Sequence, residues 1–158
     1  MNAEIHQFYE MNQLYTQARH ELMEILTDTD LAYQPSEANP TLGVLCRHIG
    51  ETEYAYIESF KTFKVDFSYR NNDPELATSV KKLKQWYRQL DAELEIMLEK
   101  LTDEDVQTRQ VDRGDFSLPP HIHLDIYREA LLIFYGKVSV YLKEMGKPMP
   151  ERWQAWIE

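Results

Sequence analysis

The sequence predicts an all-α protein, a four-helix bundle with long inter-helix connections, on the strength of three observations. Four segments carry apolar residues at alternating steps of three and four, the spacing of one helix face. Glycine is scarce, with 5 residues in 158, and no glycine-rich phosphate-binding motif occurs. No run of about 18 apolar residues is present, so no segment is expected to span a bilayer. Residues 1–158 are therefore expected to form a single helical-bundle domain.

The first two predicted helices each show a continuous apolar seam. The first covers residues 5–26, and its predicted buried face consists of Phe8, Met11, Tyr15, Ala18, Leu22 and Ile25. The second follows Pro40 and Thr41, and its predicted buried face consists of Leu42, Leu45, Ile49, Thr52, Tyr56 and Phe60. His48 lies on this second face, among apolar residues rather than in a loop.

The third and fourth predicted helices have the same spacing. The third seam comprises Leu76, Val80, Leu83, Tyr87, Leu90, Leu94, Met97 and Leu101. Asp73 is its expected N-cap, with Pro74 at the first helical position. The fourth seam comprises Tyr127, Leu131, Phe134, Val138, Tyr141 and Met145. Gly146 and Pro148 are expected to end this helix.

The connections between these helices are long enough to cross an end of the bundle. Residues 110–118 are predicted to form a small hairpin around Arg113 and Gly114. Thr27 and Thr102 each follow a long helix and precede acidic residues, which is the chemistry of a helix N-cap. Each threonine is therefore predicted to start a short additional helical turn.

Charge and cysteine content exclude several classes of function. The net charge of −10 argues against a nucleic-acid partner and against an anionic membrane surface, because both require clustered lysine and arginine. Cys46 is the single cysteine, so no internal disulfide can form and a reducing compartment is expected. The N-terminal residues lack the basic and apolar regions of a secretory signal. A cytoplasmic location is the expectation.

Histidine and cysteine offer few candidate sites. His48 is either a boundary histidine bonded to a neighbour or a metal ligand, and a catalytic zinc-like site needs about three protein ligands. No pair of histidines stands four residues apart. His121 and His123 share a face only if their segment is extended, where they would make a weak metal pair; a loop leading into the fourth helix is favoured. Cys46 and His48 point to different sides of a helix, so an inert buried thiol is favoured over a Cys–His couple.

The order of these features resembles the DinB/YfiT-like superfamily of bacterial four-helix bundles, over nearly the whole chain. The resemblance rests on the acidic turn in residues 26–35, the second helix in residues 41–53 and the fourth-helix ending in residues 134–150. It implies that His48 corresponds to the family's first metal-binding histidine. Some relatives are metal-dependent enzymes that transfer or isomerise thiol conjugates, and many have no assigned reaction. The family name refers to induction by DNA damage and does not predict DNA binding.

The sequence departs from the family pattern where the other metal ligands are expected. The resemblance implies two histidines four residues apart on the fourth helix, and anchoring on Gly136 places these positions at Ala130 and Phe134. Neither side chain can bind a metal, and the usual glutamine after the glycine is Lys137. The expectation is therefore no family-type metal site and no cofactor. His48, Ala130 and Phe134 are expected to line an apolar pocket in its place.

Three functional hypotheses remain open on the sequence. The favoured one is a DinB-like bundle that binds a small apolar ligand or a partner chain without catalysis. The alternative is a metal-dependent enzyme acting on thiol conjugates, with His48 assisted by Glu51, Glu129 or a loop histidine. The third is an interaction protein, such as a homodimer, that uses exposed aromatic surface. For Trp153 and Trp156, capping of the chain's own core is at least as well supported as an interface.

Overall fold

Four long helices form the body of the protein, and three short helices and a hairpin connect or extend them. The long helices are α1 (Ala3–Ile25), α3 (Leu42–Thr62), α4 (Val80–Glu99) and α6 (Pro120–Glu144). The short elements are α2 (Asp28–Leu31), α5 (Asp103–Thr108), β1 (Val111–Asp112), β2 (Ser117–Leu118) and α7 (Glu151–Ile157). This computed structural model describes residues 1–157, with side chains up to residue 155. The predicted all-α four-helix bundle is confirmed.

The order of the helices around the bundle explains the long connections. Helix α1 packs against α6 and α4, and α3 packs against the same two helices, so α1 and α3 lie on one diagonal. Residues 26–41 therefore cross one diagonal, from α1 to α3. Residues 100–119 cross the other, from α4 to α6. This arrangement agrees with the prediction that the connections cross an end of the bundle.

The two predicted capping turns and the predicted hairpin are confirmed. The side chains of Thr27 and Thr102 each accept a hydrogen bond from the backbone N–H three residues later. The backbone N–H of each threonine in turn donates to the carboxylate of that later residue, Asp30 or Asp105. These reciprocal bonds start α2 and α5. Strands β1 and β2 pair antiparallel, with Val111 opposite Leu118. The hairpin turn contains Gly114 at a positive φ of 92°, a conformation that glycine adopts without strain.

Two glycines bring α3 into close contact with its neighbours. A Cβ added to Gly50 would lie 2.4 Å from the ring of Trp86 on α4. One added to Gly43 would lie 1.9 Å from the carbonyl oxygen of Ala77. Both distances are well inside van der Waals contact, so larger side chains at these positions would force α3 away from the rest of the bundle.

The buried face of α1 overlaps the predicted one and also includes a row of residues displaced from it by one position. Each position of the predicted seam has its buried counterpart one residue later, in Tyr9, Asn12, Thr16, Arg19, Met23 and Leu26. Met11, predicted to be buried, is 43% exposed. A shift of one residue rotates a helix face by about 100°. Ala18 and Leu22 are fully buried as predicted, and Phe8, Tyr15 and Ile25 are half-buried against the core. The prediction was wrong for Met11, and it missed the second buried row because that row contains three polar residues.

The beginnings of α4 and α6 also differ from the predictions. The side chain of Asp73 does cap a helical segment, but this is a short 3-10 turn (Pro74–Ala77), and α4 begins after Ser79. Helix α6 begins at Pro120, earlier than predicted, so His121 and His123 lie on its first turn rather than in a loop. Their side chains therefore point in different directions, and the weak metal pair considered for an extended segment does not form.

Trp153 packs inside its own chain. Its side chain is fully buried, its Nε1 donates to the carbonyl oxygen of Ala18 at 3.1 Å, and its ring centroid lies 4.6 Å from that of Tyr135. This arrangement is the capping alternative and leaves Trp153 unavailable to a partner. The side chain of Trp156 lies outside the described residues, and the homodimer stays a prediction.

Candidate functional site

His48, Ala130 and Phe134 line the same cleft, between α3 and α6. We call this the α3/α6 cleft; it has a volume of about 170 Å³, and its lining residues are Leu45, His48, Ile49, Thr52, Ala130, Ile133, Phe134 and Lys137. Most of its wall is apolar, with His48, Thr52 and Lys137 supplying the polar groups. Ala130 and Phe134 stand one turn apart on α6, so they present a methyl group and a phenyl ring to the same side.

His48 lies mostly in solvent, beside a buried carboxylate. Its side chain is 61% exposed, and its Nδ1 lies 3.5 Å from Oε2 of Glu51, whose side chain is 4% exposed. The other oxygen of Glu51 accepts a hydrogen bond from the backbone N–H of Asn71 at 3.0 Å and lies 3.4 Å from Nε of Arg47. Glu51 therefore holds the backbone of Asn71 and the side chain of Arg47 in place next to the cleft.

The other residues considered as metal ligands lie apart from His48. Glu129 is exposed on α6, outside the lining of the α3/α6 cleft. His121 contacts Phe8 and Glu4 near the start of α1, and His123 is buried against α3. Among the described residues, no group of three or more histidine, cysteine, aspartate or glutamate side chains is arranged to hold a metal ion.

Cys46 lies on the buried side of α3. Its side chain has no exposed surface, and burial raises the pKa of its thiol to about 12. A thiol, unlike a thiolate, is a poor nucleophile at neutral pH. The buried thiol favoured by the sequence is observed, and its inertness stays a prediction.

His123 forms a buried network that the sequence did not reveal. Its Nδ1 is 2.8 Å from a guanidinium nitrogen of Arg113, and its Nε2 is 2.7 Å from Oγ of Ser59. The hydroxyl of Ser59 donates its own proton to the carbonyl oxygen of Tyr56 at 2.6 Å. Arginine can only donate, so Nδ1 accepts and Nε2 carries the proton that it donates to Ser59. Because His123 donates to this serine, it cannot act as the base that activates it.

Burial and the neighbouring Arg113 lower the pKa of His123 to about 3. The ordinary pKa of histidine is 6.5, so below pH 6.5 this side chain is protonated in the unfolded chain but stays neutral in the folded protein. The folded protein therefore loses stability as the pH falls. We expect His123→Gln, which cannot titrate, to remove a slope of about 1.4 kcal/mol per pH unit between roughly pH 6 and pH 4. Urea unfolding of both proteins across this range measures the difference. Parallel stability curves for the two proteins would contradict the assignment.

A second buried network lies at the centre of the bundle. Arg19 on α1 is fully buried; its guanidinium binds a carboxylate oxygen of Glu53 on α3 and, at 2.8 Å, Oδ1 of Asp91 on α4. The guanidinium carbon also stacks 4.0 Å from the ring centroid of Tyr87. His20 approaches the second oxygen of Asp91 at 2.5 Å. These contacts join three of the four long helices through one cation.

The two carboxylates of this network are affected in opposite directions. Burial raises the pKa of Glu53 to about 8, against the opposing effect of Arg19. Burial also disfavours ionisation of Asp91, but Arg19 and His20 outweigh it and hold the pKa of Asp91 below its usual range. The available sequence signal for a buried Arg19 was its helical spacing from the apolar residues Ile5, Tyr9 and Met23.

Comparisons with known proteins agree with this fold. Residues 14–133 match the model of the DinB superfamily, a range that includes His48 and Ala130. A DinB-like protein of Bacillus cereus is 22% identical to this chain, with a TM-score of 0.74 over 90% of this chain and 93% of its own. A DinB-like protein of Bacillus subtilis is 17% identical, with a TM-score of 0.65 over 93% of this chain and 94% of its own.

No functionally curated protein matches the chain. No helix within the described residues is both long enough and apolar enough to cross a membrane. The family match covers most of the sequence and agrees with the arrangement of helices in both solved structures. The chain belongs to the DinB superfamily.

Proposed function

We propose that this protein is a DinB-superfamily member that binds a small apolar ligand in the α3/α6 cleft and does so without a metal. The observation that carries the proposal is the lining of the cleft at the positions where the resemblance implies three histidines. One imidazole is retained, while a methyl group and a phenyl ring occupy the other two positions. Carbon side chains supply no lone pair, so these residues do not fit a three-histidine metal site.

The size and lining of the cleft define the class of ligand. A volume of about 170 Å³ is close to that of apolar cavities that accept a single benzene ring, roughly 150 Å³. Leu45, Ile49 and Phe134 provide the apolar contacts that such a ring requires. Lys137 and His48 place polar groups on the lining, where they would favour a ligand with an oxygen substituent.

Titration with fluorobenzene, followed by 19F NMR, tests the ligand site. We expect line broadening or a shift with the natural protein and loss of the effect in Ala130→Leu, which fills the cleft with three additional carbons. Ala38→Leu, in an exposed loop, makes the same change in composition and is the matched control. Equal effects on the fluorobenzene signal in all three proteins would overturn the proposal.

The enzymatic alternative makes a different prediction about metal content. In that alternative, His48 and the neighbouring carboxylate of Glu51 hold a divalent ion. The protein then acts as an enzyme on thiol conjugates. Elemental analysis of tag-free protein separates the two functions. A stoichiometric divalent ion that is lost in His48→Ala would support the enzyme and contradict the metal-free proposal.

An apolar side chain of a partner is the second candidate occupant of the same cleft. Ile133, which lines the cleft, is 60% exposed, and Val140, two turns further along α6, is 53% exposed. Together they extend the apolar surface beyond the cleft, which is typical of a contact between proteins. A sedimentation coefficient that rises with protein concentration would favour this occupant, and a second copy of the chain would then be the simplest partner.

A further inference from the structure

A second cleft lies on the opposite side of the bundle, between α1 and α4. We call it the α1/α4 cleft; it has a volume of about 460 Å³, within the usual range for ligand sites, and its lining includes Tyr9, Asn12, Thr16, His20, Asp91 and Glu95. Unlike the α3/α6 cleft, it is lined mainly by polar side chains. Neither the family resemblance nor the proposed function assigns a role to it.

Asn12 is the residue that indicates a ligand in this cleft. It is 1% exposed, and neither its Nδ2 nor its Oδ1 has a hydrogen-bond partner among the described residues. Burying an amide without partners is destabilising, and leucine would have nearly the same shape without that cost. An amide that lines a cleft and bonds to nothing in the folded chain is therefore available to bond to a molecule that enters the cleft.

The charges around Asn12 determine which molecule fits. Asp91 and Glu95 stand one turn apart on α4, and both line the α1/α4 cleft. Asp91 is held in place by Arg19 and His20, whereas Glu95 is exposed at the cleft. An adjoining cavity of about 410 Å³ shares Tyr9, Gln13 and Glu95 and adds Glu10 and Glu99 to its lining. Carboxylates thus outnumber cations along this side, which favours a cationic ligand.

We propose that the α1/α4 cleft binds a small organic ammonium ion that also carries a neutral oxygen acceptor, such as an amino amide or an amino alcohol. The ammonium group donates to Oδ1 of Asn12 and to the carboxylate of Glu95. The neutral oxygen accepts from Nδ2 of Asn12, so both halves of the buried amide gain partners. A carboxylate in place of the neutral oxygen is disfavoured by Asp91 and Glu95.

Matched probes can test each part of this ligand. We would titrate 4-aminobutanamide, which has both groups, and compare pentanamide, which lacks the charge, with pentylammonium, which lacks the oxygen. Backbone amide chemical shifts in the full-length protein report binding at α1 and α4. We expect 4-aminobutanamide to bind at least about tenfold more tightly than either partial probe, since each lacks one charge-assisted or amide hydrogen bond.

Two variants test the residues that would contact the ligand, and a third is their control. Asn12→Leu is expected to raise the Tm by several degrees, because it removes a buried amide without partners, and to weaken 4-aminobutanamide binding at least about tenfold. Glu95→Gln changes an exposed residue and is expected to weaken binding without affecting folding. Glu93→Gln removes the same charge from an exposed position on the same helix, outside the cleft, and should have little effect.

Several results would overturn the proposal. One is the absence of shift changes along α1 and α4 with all three probes. Another is unchanged binding in a folded Asn12→Leu protein, which would mean that the amide does not contact the ligand. A third is equal weakening by Glu93→Gln and Glu95→Gln, which would indicate only nonspecific attraction of a cation to a chain with a net charge of −10.

Discussion

Replacing Arg19 by methionine is expected to lower the free energy of unfolding by about 3–5 kcal/mol at pH 8. The guanidinium is fully buried and is the partner of both Glu53 and Asp91. Removing it leaves the fully buried Glu53 and the mostly buried Asp91 without the cation that both contact. A protein of this kind has a total stability of about 5–15 kcal/mol, so the loss is a large fraction of the whole. Urea denaturation followed by circular dichroism measures it.

The loss should depend on pH in a direction set by Glu53. Burial already raises the pKa of Glu53 to about 8, and without Arg19 the pKa should rise further. Above the ordinary value of 4.5 the unfolded chain releases a proton that the folded variant retains, so the variant loses stability as pH rises. Below about pH 8 Glu53 is protonated in both folded proteins, so the difference that it causes should grow only above pH 8, where the natural protein ionises Glu53 and the variant does not. We therefore expect a larger difference from the natural protein at about pH 9.5 than at pH 7.

The double variant Arg19→Met with Glu53→Met is the control for this interpretation. An apolar pair of similar size replaces both fully buried groups and leaves Asp91 with His20 as its partner, and replacing a buried ion pair by apolar residues is often neutral or stabilising. We expect the double variant to recover most of the stability lost in Arg19→Met and to lose most of its pH dependence. If the double variant were as unstable as the single one, the lost packing of Arg19 or its lost contact with Asp91, and not the unpaired Glu53, would be the cause.

The same network explains where sequence reasoning failed on α1. Beside the predicted residues Ala18 and Leu22, this helix buries a second row, one position later, that the prediction missed because it contains polar residues. Arg19 is the clearest case, because burial of its charge depends on partners outside α1. The partners of Arg19 are 34 and 72 residues away in the chain, on α3 and α4. A local periodicity cannot detect stabilisation that comes from such distant residues.

Helix α4 shows the opposite case. Leu83, Tyr87, Leu90 and Leu94 were predicted to be buried, and each is at most 2% exposed. This helix supplies its buried face almost entirely from apolar residues, so periodicity and burial coincide. The capping turns at Thr27 and Thr102 were also predictable, because each depends on residues within four positions of one another. Features that depend on residues close together in the chain, such as these capping turns, could therefore be predicted from the sequence.

The candidate site falls between these two cases. Anchoring on Gly136 identified Ala130 and Phe134 as neighbours of His48, and all three do line one cleft. The sequence did not indicate that His48 is largely exposed or that a buried Glu51 lies beside it. Those features depend on how α3 is rotated and on the loop whose backbone N–H, at Asn71, binds Glu51. The positions could thus be predicted from a shared pattern, while their environment could not.

The largest gain of function is expected from Ala130→His combined with Phe134→His. The two new imidazoles would stand four residues apart on one face of α6, beside His48 across the α3/α6 cleft. Three histidines with a water molecule make a common zinc site, so we expect this variant to bind one equivalent of Zn²⁺. Isothermal titration calorimetry measures the stoichiometry. The natural protein, with one imidazole in the cleft, is expected to show no stoichiometric binding.

Stability provides an independent measurement of the same site. Phe134 is 5% exposed, and its replacement should cost about 3 kcal/mol in the absence of metal. Zinc at one hundred times its dissociation constant would return about 2.7 kcal/mol, because it binds only the folded protein. The thermal midpoint of the variant should therefore rise with added Zn²⁺, by an amount that disappears when His48→Ala is included.

Comparing zinc binding with and without His48→Ala tests whether the α3/α6 cleft has the geometry of a metal site. If zinc binding needs all three histidines, the α3/α6 cleft retains the geometry of a metal site and differs from one only in two side chains. The apolar pocket is then the consequence of those two replacements. If the folded double variant binds no zinc, or binds it equally without His48, the two helices are not placed to share an ion. The apolar lining would then reflect the packing of α3 against α6 and not the position of a lost site.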